Sequence, residues 1–182
     1  MYLFFDTETT GLENPQLVQL AYILSDENGR IIEQNDFIVK PYGFDIPEES
    51  VKYHGITTEM ANENGISLTL ALTKFNTVIQ RANHIVAHHV AFDVKVINLA
   101  FKNLGKEDVF QGKKTICTAN DLKPQSSFPF FWKKKAIRYK LNDLHFKLFN
   151  EHFKDAHTAS ADTMALYKCF WMLKIKNLLL CN

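Results

Sequence analysis

The chain has 182 residues, 46% of them hydrophobic and 23% charged, which suits one domain with a sizeable core and is ordinary for a soluble globular protein. A formal net charge of +1 gives no global basic signature, so any contact with nucleic acid has to come from local patches. No apolar stretch is long enough to span a bilayer, and the three cysteines Cys117, Cys169 and Cys181 fit a reducing compartment rather than a disulfide framework.

Tyr2-Leu3-Phe4-Phe5 is a short continuous apolar run, readable as a central strand buried on both faces. Nothing ahead of it resembles a signal peptide, so the cytoplasm is the expected location, without a membrane partner. Residues 17–25 and 31–39 read as further strands, and Asn28-Gly29 between them is a hairpin signal. Residues 47–53 form a short helix or turn. The spacing of Leu68, Leu72, Phe75 and Ile79 predicts an amphipathic helix over 67–81. A short strand over 84–87 is followed by a helix over 90–104, with Val96, Ile97, Ala100, Phe101 and Leu104 inward. Residues 114–118 give another strand, and 141–150 and 159–179 give helices. A β meander followed by alternating helix and strand is an α/β pattern, with a mixed sheet and helices on its faces.

Four carboxylates interrupt this pattern. Asp6 and Glu8 close the first strand two residues apart, so both project to one side, beyond the carboxyl end of the strand. Alone, Asp-x-Glu also fits a solvated turn. Gly11, just after, allows a tight turn and close backbone approach to a ligand. Asp93 shares the apolar stripe of Ile97 and Ala100, which an early-turn preference for Asp does not explain. Asp162 likewise shares a face with Ala165, Leu166, Cys169 and Leu173. A buried carboxylate without a partner costs several kcal/mol, roughly, or gives up its charge. Convergence of all four points to hard divalent cations, Mg²⁺ or Mn²⁺, and a pair of such ions suits in-line phosphoryl displacement. His157 lies five positions before Asp162, off its helical face, and is placed on the loop or first turn before the helix. A histidine with an ordinary pKa of roughly 6.5 suits a general base near neutral pH.

At these positions the sequence resembles the DEDDh branch of the DEDD 3′–5′ exonucleases, most closely its polymerase-proofreading members. The matching segments are Phe5-Asp6-Thr7-Glu8-Thr9-Thr10-Gly11-Leu12, Ala87-His88 with Ala91-Phe92-Asp93, and His157-x-Ala159-x-x-Asp162. A weaker match is His54-Gly55-Ile56-Thr57. The resemblance implies one exonuclease domain over residues 1–182, with an RNase H-like fold and two divalent cations. By matching position, Asp6, Glu8 and Asp162 would hold the catalytic metal. Asp6 would also contact the second, Asp93 would support the site, and His157 would be the general base. Thr9, Gly11 and Leu12 would cradle the terminal nucleotide, with Leu12 as a wedge and Phe92 and His54 lining the pocket. The family usually has Asn where this chain has His89. Oligoribonucleases typically carry Leu and Met where this chain has Thr7 and Thr9, which favours DNA. The chain stops soon after the last helix, so a polymerase partner held through a C-terminal tail is not expected.

Phe128-Pro129-Phe130-Phe131-Trp132-Lys133-Lys134-Lys135, followed by Arg138, Tyr139 and Lys140, interleaves aromatics with cations. Three readings stay open: stacking on single-stranded nucleic acid, aromatics packed on the domain, or a homodimer contact. The leading expectation is an exonuclease acting on single-stranded DNA 3′ ends. An exoribonuclease acting on RNA 3′ ends and a non-catalytic nucleic-acid-binding module are the alternatives.

Overall fold

The computed structural model describes residues 1–123 and 139–180. Five strands, β1 (Tyr2–Thr9), β2 (Leu17–Ser25), β3 (Ile31–Ile38), β4 (His84–Ala87) and β5 (Lys114–Cys117), form one sheet in the order β3-β2-β1-β4-β5. The β1-β2 and β2-β3 pairs are antiparallel, whereas β1-β4 and β4-β5 are parallel, so the sheet is mixed. The helices are α1 (Glu48–His54), α2 (Thr58–Asn64), α3 (Leu68–Arg81), α4 (Val90–Lys102), α5 (Leu141–Phe149) and α6 (Ala159–Ile175).

Alternation along β1 divides the interior in two. Leu3 and Phe5 face a core filled by Leu72, Phe75 and Ile79 of α3 and Val96, Ile97 and Phe101 of α4. Phe4 faces the other way, onto Leu144 of α5 and Leu166, Cys169, Phe170 and Leu173 of α6. β2 is buried along its whole length because both faces of the sheet are covered. In the first core the rings of Phe5, Phe75 and Phe110 meet at centroid distances of 5.3–6.5 Å. Each such side chain contributes about 1.5–3 kcal/mol on burial. The β2-β3 turn forms where Asn28-Gly29 predicts it: Asp26 Oδ1 accepts from the backbone N–H of Asn28 and Arg30, and Gly29 takes a left-handed φ of +88°.

Several boundaries differ from the sequence reading. β1 includes Asp6 and Glu8, as expected, and runs one residue further to Thr9, because β2 pairs with it that far. The apolar run marks only the part that also has β4 beside it, which ends at Phe4. α4 stops at Lys102, leaving Leu104 in the following turn and 38% exposed rather than inward. α6 stops at Ile175, and Leu179 is buried beyond it beside a bridge with Leu122. α2 had no expected counterpart; Thr57 caps it by accepting from the Met60 N–H at 3.2 Å. Most of the aromatic and basic run, residues 124–138, lies outside the described residues, as does Cys181. Cys117 and Cys169 are buried free thiols. Among the described residues no helix is long and apolar enough to cross a membrane.

Candidate active site

The carboxylates meet because of where the strands end. β4 accompanies β1 only to Phe4, so from Asp6 onward that edge of β1 has no strand beside it. Asp6 and Glu8 share the face of Phe4, under α6, whereas Thr7 points to the α4 side. Asp162 lies in the first turn of α6, and Asp6, Glu8 and Asp162 each bring a carboxylate oxygen within 4.8 Å of the others. Asp93, in the first turn of α4, comes from the opposite side; it is buried, and its Oδ1 accepts from Thr7 Oγ1 at 2.8 Å.

This cluster is electrostatically unsatisfied. Burial first, and then the charges of Asp93, Asp162 and Glu8, hold the Asp6 carboxyl well above the ordinary range. Burial, with Asp162 and Asp93 adding to it, pushes Glu8 up to about 8. Burial raises Asp93 to about 7 against the opposing hydrogen bonds of Thr7. Asp162 rises to about 6 through burial, offset by the His157 backbone N–H and ring. A set of oxygen donors that cannot all ionise alone is what a hard divalent cation stabilises. The residues therefore fit such an ion, with Asp6, Glu8 and Asp162 as the ligands placed around one point and Asp93 beside them.

His157 sits in the turn before α6, as its spacing predicts, with a left-handed φ of +73°. Its backbone N–H donates to Asp162 Oδ2 at 3.0 Å, which fixes the turn to the cluster, while its ring is exposed and meets Tyr53 edge-on at 6.2 Å. The turn after β1 is also built locally. Thr9 Oγ1 donates to the Gly11 carbonyl at 2.9 Å, and the Thr10 hydroxyl accepts from the Gln16 N–H at 3.0 Å. Leu12 stands out from this turn 77% exposed. His54 is buried, with Nδ1 accepting from the Ile56 N–H; burial lowers its pKa and a backbone interaction with Thr9 opposes that. Phe92 is half-buried against the α3–α4 core.

Three supports were not read from the sequence. Gln19, opposite Glu8 in the β1-β2 register, is buried; its Nε2 donates to Asp36 and its Oε1 accepts from the Ala159 N–H at 3.1 Å. It thereby pins the start of α6, and with it Asp162, to the sheet. Its signal was available: it is the one strongly polar residue within the apolar run 17–24. Thr7 is the second support. The third is His88, buried between Thr118 Oγ1 and the Tyr139 carbonyl at 2.9 and 2.8 Å. Its pKa falls to about 4, through burial first.

The exonuclease family model (RNase_T) matches residues 3–170. The chain belongs to the exonuclease family. Its motif set places it in the DEDDh 3′–5′ branch. Among curated proteins, the PolC-type DNA polymerase III of Pediococcus pentosaceus is 33% identical over 59% of this chain. That of Mycoplasmopsis pulmonis is 37% identical over 55%, and that of Listeria innocua 28% identical over 94%. The exonuclease chain spans only 7–11% of the length of these relatives. The fold matches Escherichia coli exonuclease I bound to a dT13 oligonucleotide, with a TM-score of 0.76, 21% identity, and coverage of 95% of this chain and 40% of that one. A zinc-bound form of exonuclease I with single-stranded DNA gives 0.77 at 22% identity, covering 96% and 40%. The mixed five-stranded sheet with helices on both faces is thus the RNase H-like exonuclease fold.

Proposed function

We propose that this protein removes nucleotides from the 3′ end of single-stranded DNA by hydrolysing the terminal phosphodiester, releasing nucleoside 5′-monophosphates. The observation that carries this reading is the meeting of Asp6, Glu8 and Asp162 within 4.8 Å, with Asp93 and His157 tied to the same point. Two Mg²⁺ or Mn²⁺ ions held by the carboxylates would neutralise the charge that develops on the phosphoryl oxygens. Asp6, Glu8 and Asp162 act as ligands, and Asp93 supports them while Thr7 orients it. His157, exposed at its ring and anchored at its backbone, takes the proton from the attacking water. Thr9 and Gly11 hold the terminal nucleotide in their turn, Leu12 separates it from its neighbour, and His54 and Phe92 form the floor. The curated relatives are DNA polymerases, and two of the similar solved structures hold a DNA oligonucleotide or single-stranded DNA, which supports DNA over RNA. A proofreading or repair role in the cytoplasm accords with the PolC-type relatives. The test is degradation of 5′-labelled DNA and RNA of one sequence with Mg²⁺ or Mn²⁺. A DNA ladder shortening from the 3′ end is expected. Shortening of RNA alone would move the reading to an exoribonuclease, and no shortening by folded, metal-supplied protein would leave a binding module.

A further inference from the structure

A cavity of about 370 Å³ lies at the opposite end of the sheet from the carboxylates. Tyr2, His84 and Lys114, which open β1, β4 and β5, line it together with Phe170 and Lys174 of α6. Tyr2 and Glu8 are the near and far ends of one strand, so the two sites are about 20 Å apart at roughly 3.3 Å per residue.

The lining is aromatic and cationic. The rings of Tyr2 and His84 stack at 4.5 Å and 17°, and Phe170 closes on Tyr2 at 5.1 Å. Lys174 Nζ donates to the Tyr2 hydroxyl at 2.9 Å and lies 4.5 and 4.7 Å from the centres of the Tyr2 and Trp171 rings, contacts that leave its charge without a carboxylate partner among the described residues. Lys114 is exposed at the other side. Among the described residues neither lysine is ion-paired, and no acidic side chain lines the cavity. Lys123 adds a third ammonium near the rim, donating to Asn177 at 2.7 Å. His84 Nδ1 is enclosed with no hydrogen-bond partner among the described residues, an unmet polar group in the wall. Burial first, and then Lys114, the amino terminus and Lys174, lower the pKa of His84 against the opposing charge of Glu27.

A flat aromatic wall beside ammonium groups that are in no ion pair among the described residues suits a ligand with a planar ring at one end and a compact anion at the other. The volume lies in the range of small-molecule sites, roughly 300–1,000 Å³. We propose that this cavity binds a nucleoside monophosphate, with its base against the Tyr2–His84–Phe170 wall and its phosphate held by Lys114 and Lys174. The choice of nucleotide rests on the exonuclease reading, whose product has this chemistry; a ligand here leaves the carboxylate cluster open.

The test titrates dAMP and TMP into the full chain in EDTA, with inorganic phosphate as control, followed by calorimetry and amide NMR. Saturable binding is expected, with shifts at residues 2, 84 and 114, at least tenfold weakened by Lys114→Glu with Lys174→Met, and retained by Asp6→Ala. Because Lys174 also holds the Tyr2 hydroxyl, Lys114→Glu alone serves where the double variant does not fold; a threefold or greater loss is expected from it. Absence of saturable binding, binding indifferent to the lysines, or binding lost with Asp6→Ala would overturn the site. Phosphate binding as tightly as the nucleotides would overturn the role of the aromatic wall. A chain that shortens DNA in Mg²⁺ but binds no nucleotide in EDTA loses this site alone. One that binds nucleotide but shortens no substrate loses the exonuclease reading alone.

Discussion

Replacing Glu8 by Gln should make the metal-free protein more stable while destroying its use as a metal site. Glu8 ordinarily titrates at 4.5 and is pushed up to about 8, by burial first and then by Asp162 and Asp93. A gap of about 3.5 units, at about 1.4 kcal/mol each, sets a ceiling near 5 kcal/mol. Glu8 is only half-buried, so solvent screening reduces this to about 2 kcal/mol. Because the folded pKa is the higher one, Glu8 costs nothing below pH 4.5 and most above pH 8, as the carboxylate is forced to ionise in place. Gln has no proton to lose. In EDTA at pH 8, Glu8→Gln should therefore melt about 4–8 °C above the parent, and the two should converge near pH 4.5. Added Mg²⁺ should reverse the order at pH 8, because it binds and stabilises the parent alone. Thermal melts followed by circular dichroism at both pH values, with and without Mg²⁺, read all of this. A variant melting at or below the parent in EDTA at pH 8 would show that Glu8 is not under electrostatic stress, and the metal argument built on that stress would fall.

Asp6→Ala should reduce exonuclease rate below detection with an unchanged circular dichroism spectrum; measurable turnover at saturating Mg²⁺ would remove Asp6 from the site. Thr7→Val deletes the hydroxyl that Asp93 accepts at 2.8 Å and should cost about 1–3 kcal/mol of stability in urea unfolding, with Thr7→Ser recovering most of it. Gln19→Leu fills the volume but strands the Ala159 N–H and frees the start of α6. We expect a loss of about 1–3 kcal/mol together with weaker Mg²⁺ binding by calorimetry. Equal Mg²⁺ affinity in that variant would limit Gln19 to a structural role.

Much of the site was legible because carboxylates in apolar stripes contradict their surroundings. Asp93 and Asp162 stood out for that reason, and both face inward. The place of His157 followed from helical geometry, since five residues do not return to one face. What could not be read was the partnership of Thr7 with Asp93, because β1 presents Thr7 and Asp6 to opposite sides and only the missing strand beyond Phe4 lets α4 reach both. Leu104 was misplaced for a related reason. Its spacing continues the α4 stripe, but the chain turns after Lys102 and carries it to the surface. Gln19 carried a signal, yet a lone polar residue in an apolar strand does not name its acceptor or donor when they come from the far end of the chain.

That distance shapes how the protein is born. The bond from Ala159 to Gln19 joins residues 140 apart, and the Thr163 bond to Ala21 joins residues 142 apart. Closing so long a loop is slow and entropically costly, and it becomes possible only once α6 has left the ribosome. A nascent or truncated chain can build the β meander and its first helices while the carboxylate cluster still lacks Asp162. Hydrolytic competence therefore waits for α6 and follows nearly all of the scaffold that confines it.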